Sequence, residues 1–282
     1  MTGTPTAAQV LAQGVRQLGE AGIPDPARDG RRLMAHVLGI PATRLTLALA
    51  EPVTTEAAAA FQQAIAERAR CRPVAQIVGW RRFWGREFIV SGDVLDPRPE
   101  TETLIAAALT QPAGRVLDLG TGTGCILLSL LAEWPEATGL GTDISAAALE
   151  VARRNAEVLA LGDRAKFAES DWAAAVQGRF DLIVSNPPYI SEAEMARLDP
   201  DVREWEPECA LTPGGDGLDA YRTFLPQLAG LLQPDGRVLV EIGAAQGAAV
   251  AALGRRAGFE QVEILGDLDG RDRVVVFSSP GD

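Results

Sequence analysis

The chain has 282 residues, 47% hydrophobic and 23% charged, and a formal net charge of −12. This length and balance suit one large globular domain plus a small one, and the absence of any run of about 18 apolar residues argues against a membrane span. Residues 1–90 hold 11 Arg against seven acids (+4), whereas residues 91–282 hold 15 basic against 31 acidic side chains (−16), and an acidic body of this kind argues against a protein that wraps a long nucleic-acid duplex.

In chain order, residues 1–72 read as a small helical domain. Leu11, Val15 and Leu18 share one helix face. Asp25-Pro26 supplies a cap and a first-turn proline for a second helix carrying Leu33, Met34, Val37 and Leu38. Pro41 opens a short third piece, and Thr55 is the expected cap of a fourth helix with Phe61 and Ile65 four apart. Residues 73–99 read as a linker. Trp80, Phe83, Trp84, Phe88 and Val90 surround Gly85-Arg86, the pattern of a β-hairpin.

From residue 100 strand and helix alternate. Strands are expected at 115–119, 137–142, 165–168, 180–185 and 236–242, then two more at 259–265 and 272–278 joined by the turn Asp267–Gly270. Helices are expected near 101–110, 124–133, 145–160, 218–232 and 244–257. Such a series predicts an α/β domain over 100–282, with a mostly parallel sheet closed by an antiparallel hairpin.

The first of these strands runs into Gly120-Thr121-Gly122-Thr123-Gly124 at the start of a helix. Glycines there let backbone approach a ligand, and the helix N-terminus offers N–H groups to a carboxylate. The spacing is one residue shorter than the dinucleotide fingerprint and lacks the Lys of a P-loop. A tight turn without ligand is the plainer alternative. Asp143 ends the second strand, where an acid can accept from both ribose hydroxyls or simply cap the next helix. Asp171-Trp172 follows the third strand, where a carboxylate can accept from an adenine amine and an indole can stack on a ring, or the pair can serve as cap and core. Together these positions describe a pocket for an adenosine that carries an amino acid, and S-adenosylmethionine fits best.

The fourth strand ends in Asn186-Pro187-Pro188-Tyr189 and is expected beside the first. Two prolines leave the strand stiffly and pair with nothing. The Asn186 amide oxygen and the Pro187 carbonyl are then free acceptors, and Tyr189 offers a flat face. Two acceptors that hold the hydrogens of a planar NH₂ aim its lone pair at an electrophilic methyl, so the loop suits an amide or ring-amine nitrogen. Other chemistries are poorly supplied. His36 is the only histidine and lies in an apolar helical pattern, and Cys71, Cys125 and Cys209 are too far apart for a zinc knuckle or disulfide framework.

These residues resemble the release factor glutamine methyltransferases (the HemK/PrmC group), and the resemblance covers nearly the whole chain. Beside Gly120–Gly124, Asp143 and Asn186–Tyr189, it is carried by Pro97–Glu102, Glu206-Pro207, Gly215–Asp219, Glu241-Ile242-Gly243, Gln246-Gly247 and Asp267–Arg273. The resemblance implies a seven-stranded Rossmann-like methyltransferase sheet and methyl transfer from S-adenosylmethionine to the side-chain nitrogen of the glutamine in the Gly-Gly-Gln loop of peptide chain release factors. It further implies that Asn186 and the Pro187 carbonyl bind that amide and contact the cofactor side, with Pro188 and Tyr189 packed near. Gly120–Gly124, Asp143 and Trp172 would hold the cofactor, and the helical domain would help hold the release factor. A monomer in the cytoplasm, with no direct nucleic-acid or membrane partner, is expected. A ribosomal-protein glutamine and an adenine N6 are the competing substrates. The chain departs from the family at Gln76, where an aromatic is usual nearby, and at Asp96, where an apolar residue is usual. The acidic run Glu192, Glu194, Asp199, Asp201, Glu204, Glu206 and Glu208 is expected to be a solvated loop or a segment that orders on a basic substrate.

Overall fold

The computed structural model describes residues 4–278 and divides into two compact units. The first comprises the residues up to Gly79 together with Asp199–Trp205. Its helices are Ala7–Glu20, Pro26–Val37, Thr55–Ala69 and the short Val74–Val78, with minor turns between. Thr6 and Gln9 form a reciprocal capping box, and Asp25 accepts from the Arg28 N–H with Pro26 in the first turn. The fourth helix is capped one residue earlier than expected, by Thr54, whose hydroxyl accepts from Ala57 N–H while Thr55 is already helical. The apolar faces meet in a core around Leu18, Leu33, Met34, Leu45, Phe61 and Ile65.

One cation is buried in this unit. Arg68 Nε donates to Asp29 at 2.7 Å, and its other nitrogens reach the Cys71 and Arg72 carbonyls and Asp201. Gln76, the residue that departs from the family, lies in the Val74–Val78 helix and donates to the Trp205 carbonyl at 2.9 Å. The Arg72 guanidinium lies over the Trp205 ring, and the indole N–H donates to the Arg70 carbonyl. These contacts remove Asp201 from the free acidic run.

The second unit begins with the hairpin β1 (Trp80–Phe83) and β2 (Arg86–Ile89). Trp84 and Gly85 both have positive φ, the two-residue turn that matches strand twist. Phe83 and Phe88 are fully buried and meet edge to face. The hairpin is tied down at Ile89, whose N–H and carbonyl both bond the side chain of Asn155. Asp96 is buried beside Arg81, 3.5 Å away.

The sheet contains β3 (Arg115–Leu119), β4 (Thr138–Asp143), β5 (Ala165–Glu169), β6 (Phe180–Ser185), β7 (Leu232–Glu241), β8 (Gln261–Gly266) and β9 (Asp272–Ser278). Their order is β5-β4-β3-β6-β7-β9-β8, parallel except for β9, which runs antiparallel between β7 and β8. The sheet is thus the expected one. Strand β7 starts four residues before its expected beginning because Leu232 is buried and pairs with Phe180, and the register slips across the Pro234–Gly236 stretch. The predicted helix at 218–232 ends at Leu228 and tightens into a 3₁₀ turn. Apolar side chains from the two sheet faces pack under separate helix layers, with Leu127, Leu130 and Val116 on one side and Tyr221, Phe224 and Val240 on the other.

Candidate active site

The chain reverses its direction of strand addition between β3 and β6, with β4 and β5 on one side and β7 on the other. A crevice at the carboxyl ends of the strands is expected at such a point. Leu119 pairs with Ser185, so the loops after these strands leave side by side. The Ser185 hydroxyl locks them by donating to the Leu119 carbonyl at 2.8 Å. A cleft of about 400 Å³ opens there, within the roughly 300–1,000 Å³ of small-molecule sites.

Gly120, Thr121, Gly122 and Thr123 line one wall of the cleft. The loop glycines have φ of 67°, 53° and 77° at positions 120, 122 and 124, a left-handed path that side chains resist. Gly124 sits behind this wall, at the start of helix Cys125–Glu133. The buried Asp118 accepts the Thr121 hydroxyl at 2.6 Å, and burial pushes its carboxyl up to about 7. Asp143 accepts from Gly122 N–H and Ser145 N–H, each at 2.9 Å, with one bond on each oxygen. A carboxylate oxygen has a second lone pair, so both remain able to accept from a ribose diol. Burial raises the Asp143 carboxyl. Ser145 caps the next helix, so Asp143 is not needed for that role. Asp171 is exposed at the cleft wall. Trp172 also lines the wall, with φ of 52° and its ring tilted on Phe224 at 4.9 Å.

Asn186 and Pro188 line the cleft beside these groups, and Pro187 and Tyr189, of the same loop, are not part of the lining. Asn186 Nδ2 donates to the Thr101 hydroxyl at 3.2 Å. Among the described residues no hydrogen bond ends on Asn186 Oδ1 or on the Pro187 carbonyl. Tyr189 donates through its hydroxyl to Glu241 at 3.3 Å, and burial together with the Glu241 charge keeps the phenol neutral. The Tyr189 carbonyl accepts from Gln246 Nε2 at 2.9 Å. Cys125, also at the cleft, is held as a thiol because burial pushes it up to about 12.

A model of the PrmC N-terminal domain matches residues 9–79, and a model of the methyltransferase small domain matches residues 82–199. The release factor glutamine methyltransferase of Cereibacter sphaeroides is 58% identical over 95% of this chain and 97% of its own length. That of Agrobacterium fabrum is 40% identical over 98% of both. The chain belongs to the release factor glutamine methyltransferase family. Among solved structures, a methyltransferase from Pyrococcus furiosus aligns with a TM-score of 0.54 at 17% identity, over 77% of this chain and 96% of that one. The hMettl16 catalytic domain in complex with MAT2A 3′UTR hairpin 6 aligns at 0.57 and 19%, over 76% and 81%. Both are similar in fold.

For a member of this family, the blocks that carried the resemblance acquire physical roles. Gly217 has φ of 80°, and a Cβ there would overlap the Tyr189 carbonyl. Arg98 lines the cleft and pairs with the buried Glu206 at 2.6 Å. Glu206 is therefore not part of a solvated acidic loop, and Glu194 is likewise engaged, closing a capping box with Ser191. Asn155 donates to the Thr123 carbonyl at 2.9 Å besides holding the hairpin. Sequence reasoning did not single out Thr101, Asn155 or Glu241 as site-forming. The available signal for Glu241 was an acid ending the apolar run Val238-Leu239-Val240, where a charge is costly unless it is used.

Proposed function

We propose that this methyltransferase moves a methyl group from S-adenosylmethionine to the side-chain amide nitrogen of the glutamine in the Gly-Gly-Gln loop of peptide chain release factors, using Asn186 and the Pro187 carbonyl to hold that amide. The observation that carries the reading is a pair of unsatisfied acceptors, Asn186 Oδ1 and the Pro187 carbonyl, on a loop beside the glycine-rich turn. An amide nitrogen is a weak nucleophile because its lone pair is delocalised. Two acceptors that take its hydrogens orient that lone pair, and alignment in a closed site contributes about 7–11 kcal/mol at most.

The residues present fit the cofactor. The glycine turn leaves room for a ligand against backbone, Asp143 keeps free lone pairs for a ribose, and Trp172 and Asp171 offer a flat face and an acceptor to an adenine. When bound, S-adenosylmethionine supplies a methyl on a positively charged sulfur. Gly120–Gly124 and Asp143 orient it, Cys125 stays a spectator as a neutral thiol, and Tyr189 stiffens the loop from behind. Transfer would form the nitrogen–methyl bond as the methyl–sulfur bond broke with its electrons left on sulfur, and the amide held by Asn186 and the Pro187 carbonyl would shed one proton to solvent. The helical unit is the surface for the protein substrate. Translation factors as substrate support the cytoplasm as the place of action.

Mass spectrometry of a purified release factor incubated with this protein and S-adenosylmethionine tests the proposal. One added methyl on the Gly-Gly-Gln glutamine is the expected result. Bound cofactor with no methyl on that residue would overturn the substrate and direct attention to ribosomal proteins or an adenine amine.

A further inference from the structure

Glu241 ends strand β7 and is 1% exposed, and it is not among the residues that line the cleft. It faces Tyr189 from the loop after β6, Thr101 from the 3₁₀ turn Pro99–Thr101, and Arg273 from β9. Glu100 adds a repelling charge, the Tyr221 hydroxyl donates to the Glu241 backbone carbonyl, and the Cys125 thiol lies within its field. Arg273 is itself held by Asp267 at 3.3 Å. Of the carboxylate oxygens, Oε1 takes the Tyr189 hydroxyl, Oε2 is buried with no hydrogen-bond partner among the described residues, and Thr101 is the neighbour that most favours the Glu241 charge.

Donor and acceptor chemistry gives this arrangement a direction. An ionised carboxylate only accepts, so a Thr101 hydroxyl that meets Glu241 does so with its proton toward the carboxylate. The Thr101 oxygen then has only lone pairs to offer, and the group of Asn186 that can meet it is the NH₂, as observed at 3.2 Å. The other end of the Asn186 amide, Oδ1, is thereby turned outward as an acceptor.

We infer that Glu241 is a positioning residue that acts through the Thr101 hydroxyl to set which end of the Asn186 amide faces the cleft. This rests on the reading of Asn186 as the acceptor for the substrate amide. A neutral group in place of the carboxylate frees the hydroxyl to donate to Asn186 instead. The side chain then turns over and presents its NH₂ to the substrate's own NH₂, two donors face to face. The ionised form is the working one, and burial pushes the Glu241 carboxyl up to about 7. The methylation rate at saturating substrates therefore rises with pH through about 7 and levels off above it. Asp118, also raised to about 7, and Asp143, raised by burial, are carboxylates able to produce such a limb, so the variants must separate Glu241 from both.

The test measures single-turnover methylation of a release factor across pH 5.5–9 as approximate limits, with cofactor affinity by calorimetry, for the wild type, Glu241→Gln, Thr101→Val, Thr101→Ser and Asn186→Ala. Glu241→Gln and Thr101→Val are expected to slow the reaction about 10- to 100-fold with cofactor affinity within about two-fold of wild type, the signature of a misaimed reacting group. The acid limb is expected to vanish in Glu241→Gln, and Thr101→Ser, which keeps the hydroxyl, is expected to recover to within about five-fold of wild type. Wild-type rates in Glu241→Gln and Thr101→Val, with Asn186→Ala inactive, would overturn this inference alone. So would a Thr101→Ser rate as low as that of Thr101→Val, or an acid limb that persists in Glu241→Gln. An active Asn186→Ala would overturn the reading of the loop and this inference with it.

Discussion

Two loops leave adjacent parallel strands at the same end of the sheet and are built on opposite principles. The loop after β3 is held mainly by near neighbours and backbone: three left-handed glycines, a hydroxyl bonded to a carboxylate three residues back, and an amide capped by Asp143 at a separation of 21. The loop after β6 is held by side chains from far along the chain: Thr101 at 85 residues from Asn186, and Glu241 and Gln246 at 52 and 57 from Tyr189. A cofactor with a fixed shape needs a cradle that backbone can form. A polar loop fixed by distant side chains needs a buried scaffold, and that scaffold has to be gathered from several elements.

The contrast can be broken at each loop separately. The largest effect is expected from Asn186→Ala, about 100- to 1,000-fold in the methylation rate with the cofactor still bound, the loss usual for one preorganised polar group at a reacting centre. Turnover and calorimetry together check it. Asp143→Asn puts an NH₂ against one of two N–H donors, so cofactor binding is expected to weaken about 10- to 100-fold, following the roughly 1.5–3 kcal/mol of hydrogen bonds to a charged group. Equal cofactor affinity in this variant would remove Asp143 from the site. Gly217→Ala forces a Cβ toward the Tyr189 carbonyl and is expected to slow methylation about 10-fold while sparing the cofactor constant. Smallest, Ser145→Ala removes the cap of helix Ala146–Val158 at the cleft and should cost about 1 kcal/mol, read as a lower unfolding midpoint in urea.

The same contrast explains what was legible beforehand. Strands β3, β6 and β9 begin and end at the expected residues because their apolar runs are bounded by turns and their burial is on both faces or one. The start of β7 was missed because Pro234 and Gly236 read as a turn, although Leu232 is already in the sheet. The acidic run after Tyr189 read as a solvated loop or as a segment that orders on a basic substrate. Asp201 and Glu206 are instead paired with Arg68 and Arg98, partners more than a hundred residues away that no local pattern announces.

By itself, the sequence determined the alternating α/β architecture, the glycine turn, the Asp at the end of the second strand and the two-proline loop. Each of these is a local choice of backbone conformation or of hydrophobic period, written in consecutive residues. Tertiary structure alone decided that Asn155 joins the hairpin to the glycine turn, that Asn186 meets Thr101, and that a buried Glu241 meets Tyr189. Those outcomes depend on which distant groups are removed from water together. A buried charge or amide is tolerated only where donors and acceptors from separate elements converge on it.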